Sequence, residues 1–535
     1  MPESGRPRSS KDTFSHNLNF LADQKVNPLL RRIQRGIEKE GLRTTLTGEL
    51  AQSAHPIGLG SALTNSWLTT DFSESLLEFI TPVFDSIDET LVYLDTTHAL
   101  AYQQMNDEII WGASMPCILP TDKHIPIAQY GRSNVATMKT VYRRGLGHRY
   151  GRAMQTVAGI HYNFSLPETF WRHAFEHDKC NGQTEHKYLQ HYIDQRYFDL
   201  IRNFRRYYWL LIYLFGAAPC ADKSFVQERH HDLQSLSEND IYKPFATSLR
   251  MGDLGYQSSA QNALYVCYNT LQSYADTINK ALRTPYPDYQ KFADPVNGEH
   301  QQLSSSMLQI ENEFYSAIRP KQVARSGETP IKALTQRGVE YIEIRCLDIS
   351  PFSPRGIDDT TIRFLDAFLL YCLTSESPPS NPKEYELIAL NQERIVNYGR
   401  KPGLNVLCGG QELPMQKCAN NMLDQIHDIA TELDNAHGGT HYTETVIAQR
   451  EKVSDSALTP SARVLAKMDE SKASHIQFNL AQATSHADYF SALNIDTHQQ
   501  ESLMSIARHS VEQQEGLEQE DDVDFSTFLA DYFNQ

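Results

Sequence analysis

Two acidic residues in one short segment, residues 35–43 (RGIEKEGLR), place the strongest constraint on the fold. The segment is typical of a β-strand, and Glu38 and Glu40 are two positions apart, so they share one face of it. Carboxylates held side by side on a rigid strand repel each other, and a divalent cation between them removes that repulsion. The segment alone leaves two interpretations open: a metal site, or two acids that face solvent.

A second predicted strand ends the segment 61–84 and places Leu76, Glu78 and Ile80 on one face. An acid between two aliphatic residues is costly to bury without a partner. Asp71 precedes this strand, at a loop or a strand edge that leads into it. Glu78 and Asp71 are therefore further candidates for a shared acidic site.

Two more predicted strands carry chemical groups on one face and apolar groups on the other. Residues 159–167 (GIHYNFSLP) alternate so that His161 lies opposite an aromatic and aliphatic face, although a structural histidine remains the alternative. Residues 339–348 (VEYIEIRCLD) place Glu343 and Arg345 on one face, and the prolines that follow end the strand. Together the segments supply five carboxylates and one imidazole, more ligands than one Mg²⁺ takes, and this set fits two or three ions around a nucleotide.

Charge and composition exclude several classes of protein. The chain of 535 residues has a formal net charge of −17, which argues against a nucleic-acid partner or an anionic membrane surface. The strongest apolar run, residues 209–220, is too short to span a bilayer, and the N-terminal residues do not match a secretory signal. Eight cysteines without a CxxC spacing are typical of reduced thiols, so we expect a cytoplasmic protein with no membrane association.

The pattern along the chain predicts an α+β fold. We expect a tail and a short helix in residues 1–30, with the helix over 17–30, an α+β domain in 31–374 that holds the acidic strands, and a mainly helical region in 375–535 packed on the same domain. Further helices are predicted at 85–106, at 191–215 and from 358 onwards. One local basic and aromatic cluster, residues 128–150, suits small anions, and it lacks the GxGxxG spacing of a dinucleotide fold.

Several of these segments resemble the glutamate–cysteine ligase family, in its gamma-proteobacterial single-chain type. The resemblance rests on RGIEKEGLR, GSALTNSWLTTDFSESLLEFITP, GIHYNFSLP, FATSLRMGDLGY, QIENEFYSAIRPK and VEYIEIRCLDISPFSP. It implies a glutamine synthetase-like fold, in which a curved antiparallel sheet lines an active-site cleft and helices pack against it. It also implies an activity: ATP phosphorylates the γ-carboxylate of L-glutamate, and the amine of L-cysteine displaces the phosphate, the first step of glutathione biosynthesis.

The resemblance also assigns roles to residues. It implies Mg²⁺ ions, or Mn²⁺, held by six side chains: Glu38, Glu40, Asp71, Glu78, His161 and Glu343. Arg345, with Glu343, falls where the phosphoryl group is stabilised. The expected wall of the cysteine pocket consists of Tyr142, Tyr256, Tyr315, Phe72 and Gln155, and the expected carboxylate anchors are Arg143 and Arg250.

The partners implied are small molecules: ATP, L-glutamate and L-cysteine, with glutathione as a feedback inhibitor at the glutamate site and the chain acting as a monomer. Two alternatives stay open. The enzyme could join glutamate to a different amine, because a sequence shows which residues line a pocket but not its shape. It could also be a nucleotide- or metal-binding protein without activity. The residues that contact adenine stay unassigned.

Overall fold

The computed structural model describes residues 10–227, 229–255, 261, 264–325 and 327–535. In this part of the chain the β-strands are β1 Gln34–Thr45, β2 Leu68–Thr70, β3 Leu76–Ile80, β4 Glu108–Ile110, β5 Gly159–Ser165, β6 Cys220–Asp222, β7 Gln234–Ser235, β8 Asp240–Tyr242, β9 Ile318–Lys321, β10 Tyr341–Asp348, β11 Asn405–Cys408 and β12 Gln411–Pro414. The α-helices described are Ser10–Leu21, Ile87–Gln104, Asn134–Tyr150, Glu168–Cys180, Leu189–Tyr207, Trp209–Phe215, Lys223–Val226, Leu271–Arg283, Pro330–Arg337, Asp359–Thr374, Pro382–Tyr398, Met415–His437, His441–Ser454, Pro460–Ser471, His475–Ser491, Thr497–Glu520 and Phe525–Phe533.

The main sheet has seven strands in the order β2-β3-β1-β5-β10-β9, with β4 paired to the far end of β1. All of its pairs are antiparallel. Glu40 lies opposite Glu78 and Glu38 lies opposite His161, so these four residues share one face. The predicted strands that carry the acids are therefore present, and their register brings the acids to one side of the sheet.

The opposite face of the sheet is the main hydrophobic core. Ile37, Tyr162 and Ile344 have no solvent exposure, and the helix Asp359–Thr374 contributes Phe364 and Phe368 to the same core. A fully buried ion pair crosses this layer, in which Arg35 Nη2 lies 2.8 Å from Asp366 Oδ2, and the Tyr162 hydroxyl donates to the same carboxylate at 2.6 Å. Packing on this side leaves the acidic face free for a cavity.

Three predicted elements differ in detail. The predicted helix over 17–30 is an α-helix at Ser10–Leu21 followed by a 3₁₀-helix at Asn27–Arg32, whose proline suits a helix start. The predicted helix over 191–215 is two helices, Leu189–Tyr207 and Trp209–Phe215, which meet at Tyr208. The hairpin β11–β12 lies in a region predicted as helical, and Gly409 and Gly410, both with positive φ, form its turn.

The C-terminal region returns to the main sheet. The indole Nε1 of Trp67 donates to the backbone oxygen of Leu503, at 3.1 Å, in the helix Thr497–Glu520. The last helix, Phe525–Phe533, buries Leu529 in a small apolar cluster with Val141. No helix in the described part of the chain is long and apolar enough to cross a membrane. The predicted domain boundaries at residues 31 and 375 stay a prediction.

Candidate active site

A cavity of about 400 Å³ opens on the acidic face of the main sheet. Its walls are the sheet, the helix Asn134–Tyr150, the loops around residues 69–72 and 310–315, and the last helix. The structure brings most of the predicted site residues into this lining: Glu38, Asp71, Phe72, Glu78, Tyr142, Arg143, Gln155, His161, Tyr315, Glu343 and Arg345. Residues that are 305 positions apart, such as Glu38 and Glu343, therefore meet in one cavity.

Three side chains on the sheet form a group that could hold a metal ion. Glu38, Glu78 and His161 each offer one ligand atom, and these atoms lie within 4.8 Å of one another. The group follows from the strand register, because β1 lies between β3 and β5 and pairs Glu38 directly with His161. Carboxylate oxygen and imidazole nitrogen are both donors that divalent cations accept.

Glu40 lies beneath this group, is fully buried and does not belong to the lining. Its Oε2 accepts a hydrogen bond of 2.6 Å from the backbone N–H of Gly159. Its Oε1 lies 3.5 Å from His161 Nε2, and neither of these two buried atoms has a hydrogen-bond partner within the described residues. His161 Nδ1 lies 2.9 Å from Glu38 Oε2. When Nδ1 donates to that oxygen, the lone pair of Nε2 faces the Glu40 carboxylate, and a cation bound between them would remove the repulsion.

The pKa shifts agree with a site for cations. Burial, followed by the charges of Glu38, Asp71 and Glu40, raises the pKa of Glu78 well above its usual range. Burial likewise raises the pKa of Glu40. These acids therefore resist ionisation together unless positive charge is supplied from outside the protein.

Glu343 has the opposite electrostatic environment. Burial opposes its ionisation, but Lys321 and Arg345 outweigh burial and hold its pKa well below the usual range. Lys321 Nζ is 3.3 Å from Glu343 Oε1, and Arg345 Nη1 is 3.2 Å from Oε2. Glu343 therefore stays ionised and orients the guanidinium of Arg345 into the cavity.

Several residues in or beside the lining were not among the predicted site residues. Lys321 and Arg319 lie on β9, a four-residue strand that contains a proline and is too short for its alternation to be read from the sequence. Asn163 lies beside His161 on the polar face of β5, and its Nδ2 donates to Glu38 Oε1 at 2.9 Å. Lys139 lines the cavity from the helix side, and burial lowers its pKa to about 8.

The helix Asn134–Tyr150 supplies the wall opposite the sheet. Ser133 caps its first turn by accepting the N–H of Ala136. Arg143 donates to the backbone oxygens of Lys139, at 3.0 Å, and of Asp71, and its guanidinium stacks 4.7 Å from the ring centre of Tyr130. Arg143 thus also holds the loop that carries Asp71 against this helix.

Two of the predicted cysteine-pocket residues, Gln155 and Tyr315, are linked by a hydrogen bond in one corner of the cavity. Gln155 Nε2 donates to the Tyr315 hydroxyl at 2.9 Å. The backbone N–H of Tyr315 donates to Gln261 Oε1 at 2.8 Å, and Gln261 in turn donates to the backbone oxygen of Glu313. Glu313 is fully buried and forms an ion pair with Arg149 at 2.8 Å, and this pair fixes the loop 310–315 in place.

Two of the predicted substrate-binding residues are not placed in this lining. Arg250 is buried outside it; its Nη2 donates to the backbone oxygen of Arg345 at 3.0 Å, and its Nη1 is 3.8 Å from Asp348. A Cβ on Gly159 would lie 2.0 Å from the Arg250 guanidinium, so the close fit requires glycine there. Tyr256 falls outside the described residues.

Phe528 and Tyr532 of the last helix also line the cavity. They lie 180 and 184 positions beyond Asp348, the last residue of the strand that carries Glu343 and Arg345. The sequence offers only their spacing of four residues, which places both rings on one side of a helix. Nothing in that spacing identifies the surface on which the helix docks.

Comparisons with known proteins agree on one family. A family model described as glutamate-cysteine ligase matches residues 18–395. A protein named glutamate–cysteine ligase from Pseudomonas putida (strain W619) is 50% identical over 521 residues, which cover 97% of this chain and 98% of that protein. Another of the same name, from Saccharophagus degradans (strain 2-40), is 48% identical over 518 residues, 96% of this chain and 97% of that protein.

Solved structures agree as well. The crystal structure of glutamate–cysteine ligase from Francisella tularensis in complex with AMP matches with a TM-score of 0.88 and 35% identity, over 94% of this chain and 97% of that chain. A bifunctional glutathione synthetase from Pasteurella multocida shares the fold, with a TM-score of 0.72 and 22% identity, over 93% of this chain and 58% of that chain.

The antiparallel sheet with acids on its open face, together with the match to the Francisella tularensis enzyme, identifies a carboxylate–amine ligase. The chain belongs to the glutamate–cysteine ligase family. The predicted fold, family and enzyme class, an ATP-dependent ligase of glutathione biosynthesis, are confirmed.

Proposed function

We propose that the cavity on the acidic face joins the γ-carboxylate of L-glutamate to the amine of L-cysteine in two steps. In the first, a γ-carboxylate oxygen attacks the terminal phosphorus of ATP, and ADP leaves. In the second, the cysteine amine attacks the carbonyl carbon of the γ-glutamyl phosphate, phosphate leaves, and the amine loses a proton. The products are γ-glutamylcysteine, ADP and phosphate.

The donor set in the cavity fits Mg²⁺ or Mn²⁺. Glu38, Glu78 and His161 would hold one such ion, and the unpartnered Glu40 Oε1 and His161 Nε2 offer further donors. Asp71 and Glu343 complete the six predicted ligands from the cavity wall. When bound, the cations would neutralise the phosphates of ATP and the carboxylates around them whose pKa values are raised.

Arg345 stabilises the transferring phosphoryl group in this proposal. Its guanidinium is held by Glu343 and lies 3.5 Å from His161 Nδ1, beside the predicted metal ligands. Only 17% of the Arg345 side chain is exposed, so its charge acts in a site with little water. Glu343 contributes by fixing this orientation.

The opposite wall binds the amino acids. Phe72, Tyr142, Gln155 and Tyr315 form the pocket for cysteine and keep water from the acyl phosphate, which water would otherwise hydrolyse. Arg143 and the neighbouring Lys139 present positive charge for a substrate carboxylate. Arg250 acts indirectly, because it supports the backbone of Arg345.

The observation that carries the proposal is the convergence of Glu38, Glu78 and His161 with Glu343 and Arg345 in one cavity. The test is phosphate release from ATP with Mg²⁺, measured with both amino acids and with each omitted. We expect release to require both. Release that is unchanged without cysteine would contradict the proposal, and replacing cysteine with 2-aminobutyrate or serine distinguishes a ligase for another amine.

We also propose that glutathione inhibits by competing with glutamate, because it carries the same γ-glutamyl group, and that the chain acts as a cytoplasmic monomer. All eight cysteines have free thiols, which suits a reducing compartment. Inhibition by glutathione at several glutamate concentrations tests the first point. Inhibition that glutamate does not relieve would contradict it.

A further inference from the structure

The last helix, Phe525–Phe533, is capped at its start and held by hydrogen bonds just beyond its end. Asp524 caps it by accepting the N–H groups of Ser526 and Thr527 at 2.9 and 3.1 Å. At the other end, the side chain of Gln535 donates to the backbone oxygen of Gly327 at 2.7 Å and accepts the N–H of Thr329. Gln535, two residues beyond the helix, is therefore tied to the loop that follows β9.

The residues just before the last helix are also held by specific hydrogen bonds. Asp521 accepts the backbone N–H of Asn134 at 2.5 Å, and the side chain of Asn134 donates to the backbone oxygen of Val523 at 3.0 Å. Leu529 is 8% exposed and packs in a cluster with Val141 and Leu303. These contacts fix which face of the helix points into the cavity.

That face carries two aromatic rings. Phe528 and Tyr532 line the cavity, and Val135, Met138 and Ile310 lie in the same wall. Burial, and then the charge of Glu311, raise the pKa of Tyr532, so its ring is a neutral, mostly buried surface. The cavity thus has a charged side on the sheet and an apolar, aromatic side under the last helix.

Only one substrate of the reaction needs such a wall. Glutamate and cysteine are small and charged or polar, whereas ATP carries a flat purine base whose faces are apolar. Stacking of a base on an aromatic side chain contributes about 1–3 kcal/mol. Asn312, which also belongs to the lining, offers an amide donor and an amide acceptor of the kind that pairs with an adenine edge.

We propose that Phe528 and Tyr532 form the surface against which the purine base of ATP stacks, so that the last helix completes the nucleotide subsite. The proposal rests on the proposed function, since it assigns a place to one of its substrates. The phosphates then extend from this wall toward Arg345 and Lys321 on the sheet. The carboxyl-terminal residues of the chain are accordingly part of the substrate-binding site.

The test compares Phe528→Ala and Tyr532→Ala with Phe533→Ala in the full-length protein. Phe533 is the matched control, because it lies on the same helix, is 36% exposed and does not line the cavity. We expect each cavity variant to raise KM for ATP by about 5- to 160-fold, from the loss of one stacked ring. The kcat and the KM values for both amino acids should stay within about twofold of wild type. The control should leave all of these constants unchanged.

Binding of ATP and of ADP with Mg²⁺, measured by calorimetry, gives a readout that does not depend on turnover. If the wild-type protein binds nucleotide but releases no phosphate, the proposed function is refuted and the subsite is not. If both alanine variants bind nucleotide with unchanged affinity, the subsite alone is refuted. A rise confined to the KM of glutamate or cysteine would also refute the nucleotide subsite. Phe528→Leu keeps an apolar side chain without the ring, so it should weaken ATP binding even if Phe528→Ala disturbs the helix.

Discussion

Replacement of Arg345 by alanine removes a guanidinium that Glu343 holds beside the predicted metal ligands. Arg345 Nη1 is 3.2 Å from Glu343 Oε2, and its side chain is 17% exposed. A positive charge directed at a transferring phosphoryl group in a site with little water contributes about 2.7–4 kcal/mol to the transition state. We therefore expect kcat to fall by about 10²–10³-fold.

The fold should survive this substitution. Lys321 Nζ remains 3.3 Å from Glu343 Oε1 and compensates the buried carboxylate. The backbone oxygen of residue 345 still accepts from Arg250, because that contact does not involve the lost side chain. We expect the free energy of unfolding to change by about 1 kcal/mol, the ordinary effect of a point substitution.

The assay is cysteine-dependent phosphate release at saturating ATP and amino acids, with circular dichroism to follow unfolding. Arg345→Lys keeps the charge but loses the planar fork, so its kcat should lie between those of the alanine variant and wild type. Arg394→Ala is the matched control, since Arg394 pairs with Glu412 near the surface. A kcat of Arg345→Ala within threefold of wild type, or an equal loss in Arg394→Ala, would refute the assigned role.

Three further predictions concern the cations, the pH dependence and the core. Asn163→Ala removes the donor that orients Glu38, so the Mg²⁺ concentration for half-maximal activity should rise by about 10- to 100-fold in a Mg²⁺ titration, and an unchanged midpoint would contradict the assignment. Burial lowers the pKa of Lys139 to about 8, so Lys139 loses its positive charge as the pH rises through that value. We therefore expect kcat/KM for glutamate to fall above pH 8. Lys139→Arg should shift that decline to higher pH, because arginine keeps its charge. Equal pH profiles of kcat/KM for the wild type and Lys139→Arg would exclude Lys139 as the titrating group. Asp366→Ala leaves Arg35 buried without its partner and should lower the free energy of unfolding by about 3–5 kcal/mol in urea, whereas a loss below about 1 kcal/mol would show that the pair is not isolated from water.

The acidic strands could be predicted because their signal is local. In β1, β3, β5 and β10 the alternation of side chains has a period of two, so the face on which Glu38, Glu78, His161 and Glu343 lie follows from the sequence alone. The strand β9 escaped prediction because four residues with a proline carry too little alternation. Lys321, which neutralises Glu343, was missed as a site residue for the same reason.

Other site features have no local signal. Arg250 looks like a substrate anchor by resemblance, and only the packing of its segment against Gly159 and β10 shows that it lies behind the cavity wall. Glu40 carries the same pattern as Glu38, yet it is fully buried while Glu38 reaches the lining. The difference depends on which residues cover each position, and those residues come from distant parts of the chain.

The sequence by itself determined the family, the strands of the main sheet and the face on which the acids lie, since strand periodicity and long motifs are properties of consecutive residues. Tertiary structure alone decided which acids share a cavity, how Lys321 and Arg345 offset Glu343, and that Phe528 and Tyr532 of the last helix form part of the wall. The physical reason is that strand register and helix docking are set by side-chain packing between segments hundreds of residues apart, and no short stretch of sequence records that packing.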